Sequence, residues 1–86
     1  MNKEGIAEKI IEMIENMCGV KVKDRAASLF GREANLSAEY FIYLLIQIRD
    51  DFDVIIDDDF VDSLKEYSVA NLVELVAESG VSSRTN

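Results

Sequence analysis

The 86 residues carry 9 Lys+Arg against 17 Asp+Glu and no His, a formal charge of −8, and 49% of them are hydrophobic. That is enough apolar material for one small core, while the acidic balance argues against nucleic acid or anionic membrane as ligand, since clustered Lys and Arg carry such binding. The absence of histidine excludes Ser-His and Cys-His nucleophile pairs and imidazole metal sites, and the single cysteine, Cys18, makes no intrachain disulfide.

The longest unbroken apolar run, Tyr40 to Ile46, is seven residues, against the ~20 that span a bilayer. The opening Met-Asn-Lys-Glu-Gly has no signal-peptide pattern. A soluble, cytoplasmic, non-catalytic protein with basic or neutral protein partners is the expectation.

Proline is absent, and the apolar spacing is helical rather than alternating, so the chain reads as all-α. Ile6, Ile10, Met13, Ile14 and Met17 recur at steps of three and four, which predicts a first helix over Lys3 to Cys18, stopped by Gly19. From Val20 to Leu36 the periodicity weakens, and Lys21, Lys23, Arg25 and Arg32 gather in a long connection. Within it Ala26, Ala27, Leu29 and Phe30 suit one helical turn whose Leu and Phe plug the core, with Phe30 as the expected anchor.

Ser37 is placed to cap a second helix starting at Ala38, and Leu36 and Phe41 are spaced for a hydrophobic staple across the cap. This helix is expected to reach about Asp51. Its apolar residues wrap most of the way round, which makes it central or makes it meet a partner. The aspartates at 57 to 59 favour a helix N-terminus, and a short third helix with Phe60, Val61 and Leu64 facing one way follows. Ser68 repeats the capping arrangement, with Tyr67 before it and Leu72 four positions in. Val69, Leu72, Val73 and Val76 then mark a fourth helix ending near Gly80. Residues 1–80 read as one domain, and residues 81–86 as a disordered tail.

This order of elements resembles the acyl carrier protein family, including the peptidyl carriers of peptide synthetases, over roughly residues 4 to 78. The local matches are Ile10-Ile11 through Cys18-Gly19-Val20 at the first helix and its exit, and Ser28-Leu29-Phe30 at the loop phenylalanine. Asp51-Phe52-Asp53-Val54 with Ile56-Asp57-Asp58 matches the junction of the second and third helices, and Tyr67-Ser68-Val69 to Val76 the last helix. The resemblance implies an acyl-carrier-like four-helix bundle with a long loop between helices 1 and 2 and a short third helix. It also implies work as an accessory of a biosynthetic or peptide-maturation pathway, presenting the second helix to partner enzymes; a monomer or weak homodimer is expected.

In that family an Asp-Ser-Leu motif opens the second helix, and its serine carries 4′-phosphopantetheine. A gap-free match on Phe30 and Phe52 sets Ser37 on the motif's Asp, Ala38 on its Ser and Glu39 on its Leu. Sliding by one residue makes Ser37 the attachment position and rotates the following face by about 100°. Ser37 therefore has two readings, a phosphopantetheine attachment site and a plain N-cap. Where the family displays acidic side chains on its second helix, this chain shows Tyr40, Tyr43 and Arg49. With Glu39 these make the expected partner-binding face, and the alternative function is an interaction module without the prosthetic group.

Asp50, Asp51, Asp53, Asp57, Asp58, Asp59 and Asp62 crowd into thirteen residues with no base among them. The order of ligands in a Ca²⁺-binding loop is missing, so the stretch reads as a solvated, self-repelling face able to steer a basic partner, with no metal site assigned. Cys18 and the methionines Met1, Met13 and Met17 read as packing residues.

Overall fold

Asn2 caps the first helix, its Oδ1 accepting from the Gly5 N–H at 2.7 Å, and α1 runs Lys3–Cys18 as the periodicity predicts. Gly19 ends it at φ 76°, a left-handed conformation that glycine adopts without Cβ strain, with its N–H donating to the Glu15 carbonyl at 2.8 Å. The computed structural model describes residues 2–85, with side chains described through Ser79. Met1 lies outside the described residues. Ile6, Ala7, Ile10, Met13 and Ile14 of α1 are buried. Met17 and Cys18 are half-buried against the same core, and the Cys18 thiol donates to the Ile14 carbonyl at 3.3 Å.

Three further helices follow among the described residues: α2, Ala38–Phe52; α3, Asp58–Asp62; and α4, Val69–Thr85. The described chain is therefore all-α. Ser37 caps α2 by accepting from the Tyr40 N–H at 3.2 Å, and Leu36 and Phe41 on either side of the cap are both buried. Asp57 caps α3 through the Phe60 N–H at 3.0 Å. Ser68 caps α4 through the Asn71 N–H at 3.2 Å and is fully buried. Each cap satisfies a helix-terminal N–H that would otherwise lack a partner.

α1 packs mainly against α4 and also against α2. Ile10 and Ile14, Leu44 and Ile48 of α2, and Val69 and Leu72 of α4 are wholly enclosed, each burial contributing about 1.5–3 kcal/mol. An ion pair from Lys3 to Glu74 at 2.9 Å joins α1 to α4 at the surface. The radius of gyration, 12.1 Å, matches the ~12 Å of a compact domain of this length.

The long connection departs from the sequence reading at its centre. No helical turn forms over 26–30; hydrogen bonds from the Ala27 N–H to the Asp24 carbonyl and from the Gly31 N–H to the Ser28 carbonyl close two tight turns there instead, and a single helix-like turn comes later, where the Asn35 N–H donates to the Gly31 carbonyl at 2.8 Å. Leu29, not Phe30, is the anchor: Leu29 is buried, and Phe30 is 40% exposed. The reason lies in the main chain. Leu29 donates to the Tyr67 carbonyl at 2.6 Å and accepts from the Leu36 N–H at 2.8 Å, which fixes its side chain inward and turns the next residue outward. Val22, Ala34 and Leu36 join Leu29 in the core.

Two smaller differences remain. Phe60 and Leu64 are buried, but Val61 points to solvent, because α3 is only five residues long and buries one narrow side. The backbone of α4 continues through Gly80 to Thr85, since one glycine costs a helix about 1 kcal/mol relative to alanine and does not by itself end it. The side chains of residues 81–86, read from sequence as a tail, lie outside those described.

Candidate docking face on the second helix

The Ser37 cap fixes the phase of α2. With Phe41, Leu44, Leu45 and Ile48 turned into the core, a period of about 100° per residue sends Glu39, Ile42, Tyr43, Ile46 and Asp50 to the opposite side. Tyr40 and Arg49 flank them. All these residues are exposed, and the large apolar ones, Tyr40, Ile42, Tyr43 and Ile46, keep between 39% and 56% of their surface in water. The Tyr40 and Tyr43 rings lie 6.4 Å apart at 56°, a tilted pair that presents two aromatic faces and two hydroxyls.

The four residues expected to bind a partner, Glu39, Tyr40, Tyr43 and Arg49, thus sit on the solvent side of one helix. Arg49 is not a lone cation there, as its Nε bonds Asp50 Oδ1 at 3.2 Å. Sequence reasoning missed Ile42 and Ile46, which supply the apolar centre between the tyrosines and Arg49. The signal was present: once Phe41 is assigned to the core as the staple residue, a helical wheel places positions 42, 43 and 46 outside. Beyond α2, Ile55 is 73% exposed. It follows Asp53, which takes a left-handed conformation at φ 54°, and Val54, which is buried.

Ser37, at the head of the same helix, is exposed. Its Oγ accepts from the Tyr40 N–H, the helix N-terminus behind it favours an anionic group, and neighbouring Ala38 has no hydroxyl. At this helix start Ser37 is the residue that carries a hydroxyl, and that hydroxyl is engaged as the cap of α2.

A separate aromatic triangle holds the loop to the helices. The ring centroids of Phe30, Phe41 and Tyr67 lie 5.3 to 5.4 Å apart in tilted and edge-on arrangements, so the outward Phe30 covers the start of α2 and the link into α4.

The aspartates at 50, 51, 53, 57, 58, 59 and 62 are all exposed. No group of three or more metal-ligating side chains converges among the described residues, nor is any described helix long and apolar enough to cross a membrane. Arg25 makes a two-pronged ion pair with Glu4, both distances 2.8 Å. Hydrogen bonding to Arg25, and then its charge, hold the Glu4 carboxyl below the usual 4.5, and the same contacts raise the Arg25 guanidinium. In comparisons with known proteins, no family model matches the chain, and no curated protein or solved structure matches it.

Proposed function

We propose that this chain is a non-catalytic, acyl-carrier-like accessory protein of a biosynthetic or peptide-maturation pathway, which docks a partner protein through the outward side of α2. The observation that carries the reading is the exposure of Tyr40, Ile42, Tyr43 and Ile46 on a helix whose other side is built into the core. Aromatic and aliphatic side chains of this size, rimmed by Glu39, Arg49 and Asp50, have the make-up of an interface centre with a polar edge. The acyl-carrier-like part is supported by the order of elements: a long first helix, a connection over 19–37 anchored in the core, a second helix, a short third and a final helix.

Placing a photo-crosslinking residue at Tyr43, with a control at exposed Glu12 of α1, tests the docking face in the native cell. A discrete adduct to another protein from position 43 alone is expected. Identical patterns from the two positions, or none from either, would overturn the reading.

A second reading, favoured by the exposed Ser37 hydroxyl, makes the chain a carrier. Ser37 would hold 4′-phosphopantetheine, whose thiol supplies thioester attachment of cargo when the group is bound. Intact mass after incubation with coenzyme A and a broad-specificity phosphopantetheinyl transferase tests it: a carrier gains one phosphopantetheinyl group and a Ser37→Ala variant does not. A folded wild type that gains nothing leaves the interaction module as the function.

A further inference from the structure

The outward stripe of α2 is complementary to itself. Glu39, Ile42, Tyr43, Ile46, Arg49 and Asp50 fall within about 120° of the helix surface, and all six are exposed. Positions 39 and 49 are centred on 44, and so are 42 and 46, while Tyr43 lies one residue from that centre. A twofold axis through this point, with a second α2 running antiparallel, sets Glu39 against the partner's Arg49 at one end and Arg49 against the partner's Glu39 at the other, with Asp50, bonded to its own Arg49, at the outer edge of each charged layer. Between them Ile42 meets the partner's Ile46, Ile46 meets the partner's Ile42, and Tyr43 lies beside the partner's Tyr43. Such reciprocal pairing is what an isologous interface requires. A parallel pairing would instead stack Glu39 on the partner's Glu39 and Arg49 on the partner's Arg49.

We propose that α2 packs antiparallel against α2 of a second copy of this chain, forming a weak homodimer that covers the docking face when no pathway partner is bound. The proposal rests on the reading of α2 as a docking face and names what occupies it at rest. The ion pair of Arg49 to Asp50 uses Nε, leaving the two terminal guanidinium nitrogens for the partner's Glu39. The pairing of opposite charges sets register and orientation rather than strength. A contact between two 15-residue helices belongs with the small, transient interfaces, and the dimer is expected to dissociate in the micromolar range or more weakly. The charge of −8 on each copy opposes association, and added salt tightens it by shortening the Debye length.

Sedimentation equilibrium of the full chain from about 5 to about 500 µM, in roughly 0.3 M NaCl, reads the association directly. The wild type is expected to pass from monomer to dimer. Glu39→Arg and Arg49→Glu each create two like-charge contacts and weaken the dimer at least about fivefold; the double variant restores it to within about twofold of wild type. Circular dichroism checks that all four proteins are equally helical. A wild type that stays monomeric, single variants that dimerise normally, or a double variant that fails to recover would each overturn the proposal. The docking-face reading is judged separately, by the Tyr43 cross-link to another protein.

Discussion

The N–H of Leu29 donates to the carbonyl of Tyr67 at 2.6 Å, joining the middle of the long loop to the residue that precedes the cap of α4. The bond is reinforced a few residues away, where the Ala70 N–H donates to the Arg25 carbonyl at 2.8 Å. The loop is thereby a seam between α4 and the start of α2, and Leu29 is its buried stitch.

Leu29→Ala should therefore destabilise the fold by about 2–4 kcal/mol, the range for a truncated buried leucine. Phe30→Ala, which removes a half-exposed ring and two aromatic contacts, should cost about 1 kcal/mol. Urea denaturation followed by circular dichroism measures both, and a larger loss for Phe30→Ala would contradict the assignment of the anchor.

The two serine caps are predicted to differ. Both accept from a main-chain N–H at 3.2 Å, but Ser68 is fully buried and Ser37 is exposed. Ser68→Ala should cost about 2 kcal/mol, because no water replaces the lost acceptor, and Ser37→Ala about 1 kcal/mol. Equal losses in thermal unfolding would argue against the buried cap.

On α2, Ile42→Lys and Ile46→Lys should each leave stability within about 0.5 kcal/mol of wild type. Ile48→Ala, two residues from Ile46 but fully enclosed, should cost about 2–5 kcal/mol. Chemical denaturation of the three variants checks the division of this helix into a core side and an outward side.

The Glu4–Arg25 pair gives a pH dependence of defined sign. The folded-state pKa of Glu4 is depressed below 4.5, so the contribution of the pair is fully present above that value and is lost as pH falls through the lower folded value. Arg25 is shifted upward, so its part would be lost only at strongly alkaline pH. The stability difference between wild type and Arg25→Met should be constant near neutrality and shrink below pH 4.5. A gap that widens on acidification would reverse the sign of the linkage.

Salt should stabilise the protein. With a charge of −8 and seven exposed aspartates between Asp50 and Asp62, screening relieves more repulsion than it weakens attraction in the surface ion pairs Lys3–Glu74, Glu4–Arg25 and Arg49–Asp50. An increase from about 10 mM to about 500 mM NaCl should raise Tm by roughly 4–8 °C, equivalent to ~1 kcal/mol. Differential scanning calorimetry at fixed pH gives the answer.

Much of this architecture was legible because local chemistry writes it. The stripe Ile6, Ile10, Met13 and Ile14 with Gly19 behind it marks α1 at both ends, and Ser37 and Ser68 mark the starts of α2 and α4 where they occur. The loop was legible only in outline. Whether Leu29 or Phe30 turns inward is a matter of one residue, decided by main-chain bonds to Tyr67 and Leu36 that leave no local periodic trace. On the candidate face, Tyr40, Tyr43 and Arg49 were named from the positions at which the resembled family displays acidic side chains, with Glu39 beside them, and all four are exposed. Ile42 and Ile46 were passed over because an apolar residue in an apolar run reads as core until the cap and staple fix the helix phase.

The manner in which the loop is fastened bears on how freely its sequence can drift. Its path is held by main-chain donors and acceptors, and by the Glu33 carboxylate, which accepts from the Lys23 and Asp24 N–H groups at 3.1 and 3.2 Å. The exposed side chains of Lys21, Lys23, Ala26 and Arg32 have no share in that fastening. A saturation scan should find these four positions permissive and Leu29 and Glu33 restrictive, so that this surface can acquire a new composition while the backbone beneath it keeps its course.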